Sequence, residues 1–297
     1  MIIEREVERV FKSQLTIEGA GVRLKRVFGN NQVPLFDPFL MLDHFGSENP
    51  NDYVKGFPWH PHRGIETVTY MWNGKVEHGD SMGNKGVIKS GDIQWMTAGS
   101  GIIHQEIPKK YDGVMQGFQL WVNLPAKKKM TAPQYRGINK EEIPIIQEKG
   151  LKIKVIAGKI GGTEGPVRCL TTPVEYLDME LAAGKIFEHA TPRNWKAFAY
   201  VVNGSIDNHD TMVMPWQCAL FTEGELVKLS AKDAVHFLFV PRTPDSYQDY
   251  HHYPSLTRPP LTPKTISCID FCHRRNNGTW ECNQTNQASL LLFSCSL

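Results

Sequence analysis

The sequence predicts an all-β protein built from two antiparallel β-barrels, and three observations carry that expectation. Short apolar alternations recur along the 297 residues, each broken by glycine, proline or asparagine, as strands joined by turns require. Long helical periodicity is scarce, with "INKEEIPII" offering one short helix at most. An internal repeat doubles the pattern: "TVTYMWNGKVEHGD" (67–80) superposes on "AFAYVVNGSIDNHD" (197–210) at an offset of 130, matching Tyr70 with Tyr200 and Asp80 with Asp210.

Taken in order, "TVTYMWNG", "GVIKSGDIQWM", "QGFQLWVNL", "LKIKVIAG", "AFAYVVNG" and "AVHFLFV" read as strands. Asn73-Gly74 and Asn203-Gly204 predict hairpins with type I′ turns, which need positive φ at both central residues. Farther on, "GDIQWMTAGSGIIH" (91–104) resembles "GELVKLSAKDAVH" (224–236) with one gap, which favours duplication of a barrel over a chance pair of hairpins. The boundary falls between residues 135 and 160, near "NKEEIPIIQEKG". This divides the chain into 1–140, 141–242 and a tail, 243–297.

Composition narrows the function classes. A chain with 41% hydrophobic residues can bury a real core, but no apolar run reaches the about eighteen residues that span a bilayer. The N-terminus, "MIIEREVERVFKS", lacks a secretory hydrophobic region, so a cytoplasmic protein is expected, or a nuclear one in a eukaryote. The formal charge of +2, from 33 basic and 31 acidic side chains, gives no general grip on nucleic acid or membranes. Lys127, Lys128 and Lys129 read as a solvated loop. Of six cysteines, only Cys169 and Cys218 precede residue 260, and a reducing compartment suits them. Two glycosylation sequons near the C-terminus mean little without secretion. A monomer is expected.

The chemistry concentrates in "WHPHRGIE", residues 59–66. Alternate strand positions share a face, so His60 and His62 lie with Glu66 on the face that continues through Val68, Tyr70 and Trp72 into the barrel. "GIIHQE" repeats the spacing with His104 and Glu106. Buried imidazoles beside a carboxylate are costly unless something coordinates or neutralises them. A divalent metal meets the need, with three imidazoles and one carboxylate leaving two octahedral positions open. Glu66 and Glu106 compete for the carboxylate place. Such a donor set suits redox iron, with manganese, nickel or copper as alternatives, better than a structural zinc site, which usually holds cysteine. His78, His209, His251 and His252 lack such a context and read as surface residues. Arg63 reads as a structural ion-pair partner. At the offset of 130, His60, His62 and Glu66 fall on Ala190, Pro192 and Lys196, and only His236 lies near the place of the second motif. The second barrel has lost the ligand set.

"FDPFLMLDHF", "GFPWHPHRGIETVTY", "GDIQWMTAGSGIIHQE" and "GFQLWVNLP" closely resemble the pirin family of the cupin superfamily, over roughly residues 1 to 240. The resemblance implies a bicupin: two jelly-roll-like barrels packed face to face, with a metal-binding N-terminal domain and a metal-free C-terminal one. It implies one divalent metal per chain, iron foremost, with cobalt among the alternatives. Its ligands fall on His60, His62, His104 and Glu106, and Glu66 becomes a residue of the surrounding pocket. Two functions travel with the family. One is quercetin 2,3-dioxygenase chemistry on a flavonol with molecular oxygen, in which Glu106 would also take the 3-hydroxyl proton. The other is an iron-dependent, redox-sensing regulator that binds transcription factors or other proteins. The enzyme ranks first because every ligand is present.

The tail departs from that pattern. Six prolines stand between residues 241 and 263, and "CIDFCHRRNNGTWEC" lacks the second ordered pair that a metal motif would need. Residues 243–297 are expected to be poorly ordered, and an altered reading frame or a spliced end would account for the break.

Overall fold

The computed structural model describes residues 2–167 and 173–242, together with 272–274 and 280–282. The fold is nearly all β, as the alternation predicts, with one short helix at Val33–Phe36 and a few 3₁₀ turns among the described residues. The chain begins with β1 (Glu4–Arg5), β2 (Val7–Lys12), β3 (Gln14–Glu18), β4 (Val22–Phe28) and β5 (Phe39–Ser47). Next come β6 (Phe57–His62), β7 (Ile65–Asn73), β8 (Lys75–Asp80) and β9 (Lys85–Lys89). Then β10 (Ile93–Thr97), β11 (Ile102–Pro108), β12 (Met115–Asn123) and β13 (Gln134–Ile138) complete the first half.

The second half opens with β14 (Ile145–Glu148), β15 (Leu151–Ala157) and the short pair β16 (Lys159–Ile160) and β17 (Thr163–Glu164). It continues through β18 (Tyr176–Leu181), β19 (Ile186–Ala190), β20 (Lys196–Asn203), β21 (Ile206–Asn208) and β22 (Thr211–Val213). It ends with β23 (Gln217–Phe221), β24 (Leu226–Ala231) and β25 (Val235–Arg242). The expectation for the tail lies outside the described residues, apart from Cys272–Arg274 and Trp280–Cys282, which pair antiparallel with each other.

The duplication is visible in the sheets. The first half has a seven-stranded sheet, β13-β10-β7-β12-β5-β4-β3, facing a four-stranded one, β6-β11-β8-β9. The second half repeats the large sheet as β2-β23-β20-β25-β18-β15-β14 and the small one as β19, β24, β21 and β22, with β1 added parallel to β24. The division expected at residue 140 therefore needs one amendment. β1 and β2 pair with strands of the second half, whereas β13 closes the first.

Two details of the repeat are corrected. Asn73-Gly74 and Asn203-Gly204 are not hairpins, because β7 and β8 belong to different sheets, as do β20 and β21. At each corner the glycine alone takes positive φ, 107° at Gly74 and 72° at Gly204, so the chain switches sheets without a type I′ turn. The second match also shifts by one strand. By order in the sheets, β10 and β11 correspond to β23 and β24 rather than to β24 and β25.

The two large sheets pack on each other through a core drawn from both halves, including Phe28, Phe36, Tyr70, Trp95 and Phe118 with Tyr176, Phe198, Tyr200 and Leu238. The repeat's tyrosines cross this seam in a pseudo-symmetric way. Tyr70 donates its hydroxyl proton to Asp178 Oδ2 at 2.5 Å, while Tyr200 is hydrogen-bonded to His44 Nδ1 at 2.9 Å. His44 and Asp178 hold equivalent registers, opposite Phe118 and Leu238. Asp178 is also bonded by Lys154 Nζ at 2.9 Å and by His236 Nε2. Burial works to raise its pKa, but His236, Lys154 and Tyr70 outweigh that and hold it down at about 2.

Candidate metal centre

β6 and β11 are antiparallel neighbours in the small sheet, with His104 opposite His60 and Ile102 opposite His62. That register brings three imidazoles together. Ring centroids lie 4.8 Å apart for His60–His62, 4.4 Å for His60–His104 and 4.9 Å for His62–His104. One ligand atom from each lies within 4.8 Å of the others. β6 can carry Pro58 and Pro61 because it is an edge strand, where a missing N–H breaks no ladder. Between His104 and Glu106 the register shifts, with Pro58 and Trp59 of β6 opposite Gln105 alone, and this bulge bends β6 beside the site.

The electrostatics suit a cation. His60 Nδ1 lies 2.8 Å from the carbonyl of Pro58; a carbonyl only accepts, so Nδ1 carries the proton and Nε2 keeps its lone pair. His104 is fully buried, and neither of its ring nitrogens has a hydrogen-bond partner. Such an orphaned imidazole costs on the order of 1–3 kcal/mol for each unmet group. Burial, then the neighbouring His60, holds the His62 pKa down at about 3. His104 is pushed lower still by burial, then by His60, His62 and His78. Both are therefore neutral at pH 7, the form a metal requires. The edge of Trp121 meets His62 with centroids 4.9 Å apart. Three clustered imidazoles, one of them buried with both ring nitrogens unmet, fit a divalent ion.

Glu106 is buried on the same strand, two residues beyond His104, but falls outside the mutually close trio. Its Oε1 accepts from Thr69 Oγ1 at 2.7 Å. Glu66 lies elsewhere. The expected continuous face breaks at Gly64 (φ 70°), where the chain leaves the small sheet for the large one. Val68 and Tyr70 consequently face the seam between the halves, and Glu66 shares their side of β7, accepting from Thr97 Oγ1 at 2.9 Å. The inward face of β7 is instead the odd one, which includes Thr69 and Met71.

Other expectations need correction too. His78 is buried, stacked on Tyr135 at 4.9 Å with its ring 5.5 Å from that of His104. Its Nδ1 meets Gln94 Nε2 at 2.9 Å and its Nε2 meets Asp80 at 3.4 Å. The alternation Val76, His78, Asp80 in "KVEHGD" was the signal for an inward histidine. His209 is half-exposed and paired with Glu4 at 3.1 Å, as a surface residue should be, while His251 and His252 lie outside the described residues. Arg63 reaches the sulfur of Met130 at 3.2 Å rather than a carboxylate. Lys129 is not merely solvated, since its ammonium bonds Asn123 Oδ1 at 2.6 Å and the carbonyl of Gly64 at 3.1 Å.

Register also corrects the internal control. His60 faces His104 as His189 faces Val227, and Phe57 faces Glu106 as Phe187 faces Leu229. The counterpart of His60 is thus His189, which bonds Glu175 at 2.6 Å. His236 belongs to the seam, stacked on Trp72 at 4.1 Å. Val227 and Leu229 have no atom to offer a metal.

Comparison with known proteins agrees with this architecture. The Pirin family model matches residues 21–122, and the model for the pirin C-terminal cupin domain matches 176–244. A Pseudomonas aeruginosa protein provisionally named a quercetin 2,3-dioxygenase is 46% identical over 211 residues, covering 68% of this chain and 73% of that one. A pirin-like protein of Caulobacter vibrioides is 42% identical over 253 residues, with 84% and 91% covered. The crystal structure of a quercetin 2,3-dioxygenase from Acinetobacter baumannii superposes with a TM-score of 0.76 at 31% identity, covering 82% of this chain and 88% of that one.

Proposed function

The chain belongs to the pirin family, and from that premise we propose that its first barrel holds one divalent metal through His60, His62, His104 and Glu106 and opens flavonols such as quercetin with dioxygen. Iron heads the candidates, followed by manganese, nickel, cobalt and copper, because histidine with one carboxylate and open positions suits redox-active ions. The observation that carries the reading is His104, buried with both ring nitrogens unmet beside two further imidazoles.

When bound, the ion would supply Lewis acidity to a coordinated hydroxyl and a redox partner for dioxygen. The chain's own residues do the rest. His60 presents Nε2 because Pro58 holds its Nδ1 proton, and Trp121 fixes the ring of His62. Glu106 would take the flavonol 3-hydroxyl proton as a general base. Met96, Ala98 and Ile102 form an apolar cluster in the same barrel that keeps water from the reacting ring. The test is reconstituted protein under air with quercetin. Loss of flavonol absorbance with oxygen uptake and carbon monoxide release is expected, and Glu106→Gln should lower turnover more than flavonol affinity. No turnover with iron, manganese, nickel, cobalt or copper in folded, loaded protein would overturn the proposal.

One feature supports a second reading, a metal-sensing regulator that binds a transcription factor or another protein. Trp59 (51% exposed) and Ile103 (37% exposed) stand on the strands that carry the histidines, pointing away from them. A partner docked there would touch the ligand-bearing sheet itself. Partner binding that is weakened by Trp59→Ser at unchanged metal content would favour it.

A further inference from the structure

We infer that Thr69, oriented by Gln119, is a positioning residue that fixes Glu106 as a one-oxygen metal ligand; this rests on the proposed ligand set. Thr69 stands on β7 in the large sheet and Glu106 on β11 in the small one, so their 2.7 Å hydrogen bond crosses the barrel interior. Thr69 Oγ1 also lies 2.7 Å from Oε1 of Gln119, its register partner on β12. A hydroxyl has one proton and cannot donate to both. The carboxylate is the stronger acceptor, so it takes that proton. An amide turned end for end presents its NH₂ to Thr69 in place of Oε1, which gives each side chain a complementary partner. The result is a directed relay, Gln119 N–H to Thr69 O–H to Glu106 Oε1, whose members polarise one another. Thr69 is buried and β-branched, so its χ1 is stiff and the hydroxyl cannot wander.

With Oε1 engaged, Oε2 is the oxygen left to bind a metal, and two coordination positions stay open for substrate and oxygen. The second barrel supplies an independent argument. In equivalent registers it replaces Thr69 with Ala199, Gln119 with Phe239 and Glu106 with Leu229. Relay and carboxylate are exchanged there as a set.

The experiment titrates metal-free protein with cobalt(II), reading affinity by calorimetry and coordination by the visible spectrum. Thr69→Val should weaken binding about ten- to a hundred-fold and alter the spectrum, as loss of a ligand's hydrogen-bond partner does. Thr69→Ser should restore both. Gln119→Glu, which can only accept from Thr69, should withdraw its proton from Glu106 and mimic Thr69→Val. Should Thr69→Val fail to fold, Gln119→Glu carries the test. Parental affinity and spectrum in the folded variants would overturn the inference while leaving the ligand set intact. If Glu106→Gln itself binds cobalt as tightly as the parent, the ligand assignment falls, and this inference with it.

Discussion

The two barrels share strand order and register but differ in what lines them. Where the first places Thr69, Gln94, Gln119, His104 and Glu106, the second places Ala199, Ala219, Phe239, Val227 and Leu229. The second interior is one continuous apolar cluster, including Leu177, Phe187, Val201, Leu229 and Phe239. The first holds two smaller ones, around Phe45 and Met71 and around Met96 and Ile102, with polar side chains elsewhere on its inner wall. Apolar burial contributes about 25 cal/mol per Å², so the second interior is built for stability and the first gives some of it up for a donor set. One scaffold therefore serves either purpose, and a handful of inward positions decides which.

Reciprocal substitutions would break that comparison most sharply. Leu229→Glu should put an unpaired carboxylate into the apolar barrel and cost several kcal/mol, on the order of 3–5, read by chemical denaturation. Glu106→Leu should cost the metal-free protein less than about 1.5 kcal/mol while abolishing tight metal binding. Equal destabilisation by the two changes would refute the contrast. Next in size, His60→Ala with His104→Ala should bring metal content from about one ion per chain to near zero by elemental analysis; full content in that variant would remove the histidines from the ligand set.

The shared seam gives a third prediction. Asp178→Asn should destabilise by about 3 kcal/mol, since it leaves Lys154 without its buried counter-charge. The pH dependence follows from sign. The folded pKa of about 2 lies below the usual 3.8, so the stabilisation is fully present above about pH 4 and lost as pH falls toward 2. The stability difference between parent and Asp178→Asn should therefore shrink over that window. A difference that stays constant would show that the carboxylate is not the source. Smallest of all, Glu66→Gln should leave metal content unchanged within error, because Glu66 bonds Thr97 on the seam side of β7.

Much of this was legible in the sequence. Alternation and the 130-residue repeat gave the two barrels, and the two His-x-His and His-x-Glu spacings gave the three clustered imidazoles. What was not legible depended on where strands change sheets. Gly64 and Gly74 end one face and begin another, so extrapolating the parity of His60 through Tyr70 placed Glu66 and the aromatic face on the wrong side. His78 was missed because a single inward histidine in a charged strand gains meaning only once β8 is laid against β11. The partners of Glu106 were invisible for a related reason, since Thr69 and Gln119 come from the opposite sheet, where no local spacing links them.

The crossing of β2 into the second half has a consequence for the molecule's modularity. Because β2 closes the second large sheet and β13 the first, a cut near residue 140 severs the linker but leaves the amino-terminal fragment holding the other's outermost strand. The fragment from 141 onward would display the bare flank of β23, an invitation to self-assembly, while the amino-terminal fragment would carry β2 with no ladder to join. Neither piece is an autonomous building block. Produced together, they should find each other as a clasp closes, the amino-terminal piece lending the strand that finishes its neighbour.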